Sequence, residues 1–397
     1  MTLPFEHDEW ITIAKLNGEE FTDCHFNIYG KDKTTNDEKV LLYTSDSRPL
    51  CGGSEFNLEH KITIDYLFYN EAAKLIAGSS DLFPTQIEFF WELVVNSEDQ
   101  DGAVTTETEE LEDTLTVHFV RYIPKLMNIL GFVNGEKLQR IWFTRGNVID
   151  RETIDPFLNI IDWDWLMKES EEVKDEYIEF KNDVIDDLNS TFTNKVSRSL
   201  HAEINKMIDE GLITKPTEDN PRVDFGIYDE KIITSETKRF PSGEQIPRFE
   251  KYYFKAKPFR GFFDIGTHYR KEGLDDFIAT LASFNYHVLA SGYLEFKKGK
   301  YLWSLDSYTQ VNVTHLGFYI KDSFDFIDDP GKKSQPLGFW KILGKNGAEV
   351  ERNLNKNGYY EVNNKLYRDY RDDHGMGYNF HLYSNINRVR TSIKLDL

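Results

Sequence analysis

Two aspartates with a spacing of three residues, Asp322 and Asp325, follow an apolar segment late in the chain. Outside a helix, this spacing allows both carboxylates to lie on one turn, where they could bind a divalent cation or divide the acid and base roles of a reaction. The alternative is local, because Asp-Ser and the Asp-Asp-Pro-Gly run at 328–331 are turn formers whose side chains bond their own backbone. We predict Asp322 and Asp325 as catalytic residues, with the metal requirement and any cofactor unknown.

Basic side chains recur at three-residue intervals in Arg368, Arg371 and His374, just before a glycine-rich turn. An arginine pair can bind an anion there, because guanidinium makes paired hydrogen bonds to phosphate or carboxylate. The structural alternative is that both arginines pair with the acids at 322–329 inside the domain. We predict Arg368 and Arg371 as binding residues and His374 as a third catalytic residue, since imidazole transfers protons near neutral pH.

A second imidazole, His268, precedes the acidic pair Asp275 and Asp276 by seven and eight residues. A turn could bring them together, and a histidine oriented by a carboxylate is what general-base chemistry needs. Alternatively, the aspartates serve only the positive end of a helix, and the histidine belongs to a loop. All three are predicted as binding residues, and the alternative stays open.

The elements that carry these residues are predicted as an α+β C-terminal domain over 251–397, which is β-rich with one packed helix. That helix is expected to begin after Gly273 and to include His287. Its apolar residues follow three-to-four spacing and are Leu274, Phe277, Ile278, Leu281, Phe284 and Val288. Residues 214–250, rich in Pro, Lys, Thr and acids, are predicted as a connecting loop.

The first half of the chain contains two further predicted segments. Short period-two runs over 1–120 predict a β-rich, antiparallel sandwich-like domain. Within it, residues 97–113 hold eight acids and no base, which is typical of a solvated loop. Residues 121–213 are predicted as helical, with a central hairpin over 164–212 that breaks near 189–191. An aspartate in the run 161–165 is expected to cap its first turn.

Charge limits the possible partners. The chain has 397 residues and a net charge of -21, and an acidic surface repels the phosphate backbone, so no nucleic-acid partner is expected. The length favours two domains. Residues 315–397 carry 13 Lys and Arg against 11 Asp and Glu, which leaves about -23 for the first 314 residues. The C-terminal part could therefore meet an anionic ligand that the rest of the molecule repels.

We expect no cleaved signal peptide and no membrane span. Residues 1–10 lack the apolar core of a signal peptide, and no run approaches the roughly 20 apolar residues that span a bilayer. Cys24 and Cys51 make no disulfide framework, and whether they pair stays open. We expect a protein made in the bacterial cytoplasm, without an integral membrane segment, whose export would need no cleaved signal.

Several motifs together resemble an uncharacterised proteobacterial domain family over roughly 140–397. They are Trp163-Asp164-Trp165, the run 273–277 with Leu281 and Phe284, the run 322–326 with 337–340, and Val362-Asn363-Asn364 leading to 367–371. Members of that family are often encoded beside type VI secretion genes. The resemblance implies an interbacterial effector, or a protein that handles one.

A shorter motif, Asp322-Ser323-Phe324-Asp325, is similar to the Asp-x-Tyr-Asp core of colicin M-like lipid II hydrolases. Phe324 stands where that family has tyrosine, and its nearby His-Arg pair has no counterpart here at the same spacing. No Walker loop, nucleophile elbow, HExxH or zinc spacing occurs in the sequence.

Two functions follow as hypotheses. The first is an antibacterial effector, with hydrolase activity as one option, whose C-terminal domain acts on an anionic or cell-envelope substrate. Its expected partners are a secretion-apparatus or immunity protein. The second is a non-enzymatic acidic adaptor or immunity-like protein that binds a basic effector through its first domain.

Overall fold

The computed structural model describes most of the chain in segments. They are residues 10–18, 23–35, 38–44, 48–49, 56–63, 72–78, 80, 82–98, 104–110, 115–144, 157–190, 194–226, 232–233, 246–259, 274–281, 283–299, 307–328, 330–343, 346–351 and 358–396. They form an α+β fold, so the predicted fold class is confirmed. No helix within these segments is long and apolar enough to cross a membrane.

The strands are β1 (Trp10–Gly18), β2 (Asp23–Asp32), β3 (Val40–Thr44), β4 (Arg48–Pro49), β5 (Phe56–Thr63), β6 (Gln86–Glu98), β7 (Val104–Glu110), β8 (Leu115–His118), β9 (Phe157–Ile161), β10 (Arg222–Phe225), β11 (Ile232–Ile233), β12 (Ile246–Pro247), β13 (Lys255–Pro258), β14 (Asn285–Lys298), β15 (Ser307–Phe324), β16 (Pro336–Ile342), β17 (Ala348–Glu351), β18 (Tyr360–Asn363), β19 (Phe380–Ser384) and β20 (Asn387–Asp396). The helices are α1 (Ala72–Ala77), α2 (Ile123–Leu130), α3 (Val133–Thr144), α4 (Trp163–Glu169), α5 (Glu171–Asn189), α6 (Lys195–Asp209), α7 (Asp276–Thr280) and α8 (Asn364–His374). Two 3-10 helices span Phe119–Tyr122 and Arg248–Lys251.

The chain divides into two compact units, and each unit is built from two separate stretches. The first unit comprises Met1–Thr144 with Phe326–Gly377, and the second comprises Arg145–Asp325 with Tyr378–Leu397. The division into four segments predicted from the sequence, 1–120, 121–213, 214–250 and 251–397, remains a prediction.

The first unit contains a six-stranded antiparallel sheet in the order β3-β2-β6-β7, with β4 paired to β2 and β8 paired to β6. Separate β1-β5 and β17-β16-β18 sheets complete its strands. Strand alternation gives β6 one buried apolar face, with Phe89 and Leu93, and one face that carries Phe90 and Glu92. The second face is the more polar of the two.

Part of the acidic stretch 97–113 is a strand, so the predicted solvated loop is wrong for Val104–Glu110. These residues form β7, which pairs antiparallel with β6. Threonines alternate with glutamates there, and β-branched residues favour strands even where the acids face water. No group of His, Cys, Asp or Glu in the described segments could hold a metal ion.

The core of the first unit includes an aromatic cluster around Trp142 of α3. Tyr367 of α8 lies 5.3 Å from Trp142 between ring centroids, and Phe326 stacks on Tyr367 at 3.7 Å. Gly377 has a φ of +91°, and a Cβ there would lie 2.4 Å from the Trp142 ring. Only glycine fits this turn, because both the backbone angle and the space exclude a side chain.

The second unit contains a seven-stranded sheet in the order β10-β14-β15-β19-β9, with β13 paired to β14 and β20 paired to β15. Its pairings are antiparallel except for β19 with β9, which is parallel. The helices α5 and α6 form the predicted hairpin. Tyr286 of β14 donates a hydrogen bond to the Val173 carbonyl of α5 at 2.7 Å, and so joins the sheet to the helices.

The predicted helix from Gly273 to Val288 is wrong beyond Thr280. The helix α7 is Asp276–Thr280, and β14 begins at Asn285, so His287 lies on a strand. Residues 286–290 are buried on both faces of the sheet. The sequence of a strand that is buried on both faces is a continuous apolar run. The spacing of its apolar residues cannot distinguish such a strand from a buried helix.

Candidate functional site

A serine and a histidine meet where β15 pairs with β19. Ser323 and His381 are directly opposite each other, and the Ser323 Oγ lies 2.8 Å from the His381 Nδ1. Ser323 is exposed and His381 is half-buried. A hydroxyl that is hydrogen-bonded to an imidazole can lose its proton to the ring and become a nucleophile. We call these two residues the Ser323–His381 pair.

Next to the pair this face of the sheet is buried and aromatic, with Tyr319 and Tyr383 fully buried, and it carries exposed arginines further along. Strand alternation places Lys321 and Tyr319 on the face of Ser323. Further along, Arg388 and Arg390 of β20 are exposed. Because Arg388 pairs with Gly317, six residues before Ser323, it lies roughly 20 Å along the strand from the pair. The arrangement presents a nucleophile at one end of a face with positive side chains.

Asp322 lies on the other face of this sheet, by the same alternation. Its Oδ1 accepts a hydrogen bond from the Ser323 backbone N–H at 2.7 Å. Burial raises the pKa of Asp322 well above its usual range, and the charge of Asp325 raises it further. Asp325 is exposed and follows directly after β15.

The predicted basic residues belong to α8, in the first unit, whereas Asp322 and Asp325 belong to the second. Arg368 Nη2 lies 2.7 Å from Asp328 Oδ2, and its Nη1 donates to the Phe326 carbonyl at 2.8 Å. Arg371 Nε lies 3.3 Å from the exposed Asp372 carboxylate. Arg368 therefore makes the internal contacts of the structural alternative.

Asp328 is held by several donors. Partial burial raises its pKa, but hydrogen bonds from Gln335 N–H, Ser334, Arg368 and Asn364 lower the pKa of Asp328 to about 2. This carboxylate therefore stays charged at neutral pH. It holds Arg368 close to Phe326, where the chain re-enters the first unit.

His374 lies in a second cluster of titratable groups. Its ring is 5.3 Å from that of His118, which is 1% exposed. The Asp373 carboxylate lies 2.9 Å from His118 Nε2 and accepts a hydrogen bond from Lys33 Nζ at 2.7 Å. Burial lowers the pKa of His118 to about 4, with a further decrease from His374. The cluster therefore holds a neutral imidazole at neutral pH.

The remaining predicted residues have local roles. Asp275 caps α7 by accepting the Ile278 N–H at 2.9 Å, and Asp276 lies in the first turn. These contacts match the helix-end alternative. His268 falls outside the described segments.

A buried polar network lies on the same face as the Ser323–His381 pair and was missed by the sequence reasoning. Glu250 is 4% exposed and accepts hydrogen bonds from Tyr319 OH at 2.6 Å and Lys321 Nζ at 2.7 Å. His287 Nδ1 lies 3.2 Å from the same Tyr319 oxygen. Burial lowers the pKa of His287 to about 4 and raises that of Tyr319. The network fixes the position of Lys321 on the face that carries Ser323.

His381 itself was also missed. It is separated from Ser323 by 58 residues, and only the pairing of β15 with β19 brings the two together. The alternating run Phe380-His381-Leu382 marks a strand, which is the one signal the sequence offers for it.

Acid is expected to destabilise the protein through His118 and His287. Both have a folded-state pKa of about 4, below the ordinary value of 6.5. The unfolded chain therefore binds more protons than the folded one between pH 6.5 and 4, and the free energy of unfolding falls as pH decreases through that range. Each histidine contributes about 3 kcal/mol to the decrease.

Urea denaturation at pH 7 and pH 4.5 measures this effect. His118→Gln and His287→Gln variants should each lose less stability between the two pH values than the parent protein does. An equal loss in all three proteins would contradict the assignment of the acid sensitivity to these imidazoles.

Comparison with known proteins gives one match. No curated protein and no solved structure matches the chain. Residues 119–397 match a family of unknown function, DUF6402. The matched residues include the Ser323–His381 pair, the Glu250 network and α8. Because the match covers well over half of the sequence, the chain belongs to this family of unknown function, DUF6402.

Proposed function

We propose that this protein is an antibacterial effector with hydrolase activity, in which the Ser323–His381 pair attacks an anionic or cell-envelope substrate. The observation that carries the proposal is the 2.8 Å contact between Ser323 Oγ and His381 Nδ1 with the hydroxyl exposed. The resemblance to a proteobacterial family encoded beside type VI secretion genes supports the effector role.

The chemistry needs only these two side chains and water. His381 takes the proton of Ser323 as the oxygen forms a bond to an acyl carbon, and the leaving group departs with that proton. The same imidazole then deprotonates a water molecule, whose oxygen attacks the acyl carbon. The bond from that carbon to Ser323 Oγ breaks, and the imidazolium returns its proton to Oγ, which restores the hydroxyl. Arg388 and Arg390 of β20 are exposed on the same face and would attract a negatively charged substrate.

The cellular setting is part of the proposal. The protein would be made in the bacterial cytoplasm and delivered from there. A secretion-apparatus protein would load it, and an immunity protein would protect the producing cell. The net charge of -21 argues against a nucleic-acid substrate.

Growth of a bacterial host tests the proposal, with the chain expressed in the cytoplasm and, separately, with a periplasmic signal. Killing should occur in one compartment, and Ser323→Ala or His381→Ala should lower it by at least about 10³-fold, as expected for loss of a nucleophile or its base. Ser392→Ala is the matched control, because Ser392 is an exposed serine on the neighbouring strand β20.

The outcomes separate the alternatives. Killing that survives Ser323→Ala would exclude the pair as the reactive centre, and Arg371→Ala, Asp322→Ala and Asp325→Ala would then test the other predicted residues. Absence of killing in both compartments by folded protein would exclude the effector role in that host.

The second candidate is a non-enzymatic acidic adaptor or immunity-like protein that binds a basic effector. The observation that favours it is the exposed acidic strand β7, where Glu107 and Glu110 face solvent. This candidate predicts neither killing nor an effect of Ser323→Ala.

A further inference from the structure

The polar face of the six-stranded sheet in the first unit contains a small open cavity. Its volume is about 150 Å³, and it is lined by Tyr29, Lys39, Phe90, Trp91, Glu92 and Glu110. The cavity lies over β2, β6 and β7, so a continuous hydrogen-bonded sheet forms its base. Such a base holds side chains in fixed positions, which a binding site requires.

Two carboxylates face each other across this cavity. Glu92 of β6 and Glu110 of β7 are direct cross-strand partners. Like charges directly opposite each other destabilise a sheet unless a cation or donor lies between them. Asn27 and Tyr29 donate hydrogen bonds to Glu92 at 3.2 and 3.1 Å, and Lys39 forms an ion pair with Glu110. The paired carboxylates thus create a position that favours positive charge.

An aromatic ring completes the cavity. Lys39 Nζ lies 4.1 Å from the centroid of the Phe90 ring, and Lys31 Nζ lies 4.8 Å from it. Ammonium groups at this distance from a ring face are attracted by its quadrupole. Lys39 is therefore held between a carboxylate and an aromatic face, which is the geometry that recognises a cationic side chain.

We propose that this cavity, which we call the Phe90 cavity, binds a lysine or arginine side chain of a basic partner protein, and that Lys39 is the chain's own occupant, displaced on binding. Charge complementarity supports this partner, because the first 314 residues carry about -23. Lys39 is exposed, so its ammonium can leave the ring for water at low cost. The site lies outside the part of the chain that contains the Ser323–His381 pair, and it does not depend on the hydrolase chemistry.

The probe is a peptide of alternating arginine and threonine with an acetylated N-terminus and an amidated C-terminus. Its dissociation constant from the protein is measured by calorimetry at low and at physiological salt. Lys39→Met removes the internal competitor and should tighten binding by about fivefold, since one cation–ring and ion-pair contact no longer has to be broken. Glu92→Gln and Glu110→Gln should each weaken binding by about fivefold or more.

Glu107→Gln is the matched control, because it removes the same charge from β7 on the opposite side of the strand. It should change binding by less than about twofold, as expected for an exposed charge outside the site. A peptide with glutamine in place of arginine should not bind.

Two results would overturn the proposal. One is a Glu107→Gln effect equal to that of Glu110→Gln, which would show attraction by overall charge alone. The other is unchanged or weaker binding by folded Lys39→Met protein, which would show that no cation competes with Lys39 for the Phe90 cavity.

Discussion

Replacing Trp142 with alanine is expected to lower the free energy of unfolding by about 4 kcal/mol, the range for a fully buried large aromatic. Trp142 is fully buried. Its ring meets Phe143, Phe326 and Tyr367 edge-on at centroid distances of 5.0 to 5.3 Å. Alanine would leave a cavity among these rings, because they are fixed by α3, α8 and the Phe326 backbone and cannot all move inward.

Urea denaturation of the purified protein measures this loss. Trp142→Phe keeps most of the ring volume and should cost about 1 to 2 kcal/mol. Trp165→Ala is the control, because Trp165 is only half-buried and should cost less than the fully buried ring. If Trp142→Ala and Trp165→Ala were equally stable, the aromatic cluster would not be a main source of stability in the first unit.

Replacing Lys321 with methionine should destabilise the protein by about 3 to 5 kcal/mol, as found when one partner of a buried ion pair is removed. Lys321 Nζ is 2.7 Å from Glu250 Oε1, and the glutamate side chain is 4% exposed. Without the ammonium, the buried carboxylate keeps the Tyr319 hydroxyl as a donor but loses its opposite charge.

A double-mutant cycle isolates this interaction. Glu250→Gln combined with Lys321→Met should be less destabilising than the sum of the single changes, because neither buried charge remains uncompensated. Lys297→Met is the control, since the Lys297 to Glu295 pair lies at the surface and its loss should not change stability measurably. Additive effects in the cycle would show that Glu250 and Lys321 do not depend on each other.

Local features were the ones that the sequence predicted. Asp162 caps α4 by accepting the Trp165 N–H at 2.8 Å, within the run where a capping aspartate was expected. The first helix of the hairpin ends at Ser190, within the break predicted near 189–191, and Asn194 caps the start of α6 with a capping box. Both capping contacts join residues that are three or four positions apart, so they do not depend on the tertiary structure.

A strand buried on both faces and an exposed acidic strand were the main failures. The start of β14, residues 286–290, is buried without alternation, so it lacks the period-two pattern of a strand with one solvated face. The helix predicted through Val288 and the loop predicted over β7 both failed because partners on neighbouring strands decided the conformation.

The sequence by itself determined the α+β class, the Asp162 cap and the acidic net charge, since each depends on composition or on residues a few positions apart. Only the tertiary structure decided which side chains meet. The Ser323–His381 pair, the Glu250 to Lys321 contact and the facing Glu92 and Glu110 depend on strand register, and a shift of one residue would turn these side chains to the other face. Register is set by which faces are buried together, and that information is spread over the whole chain.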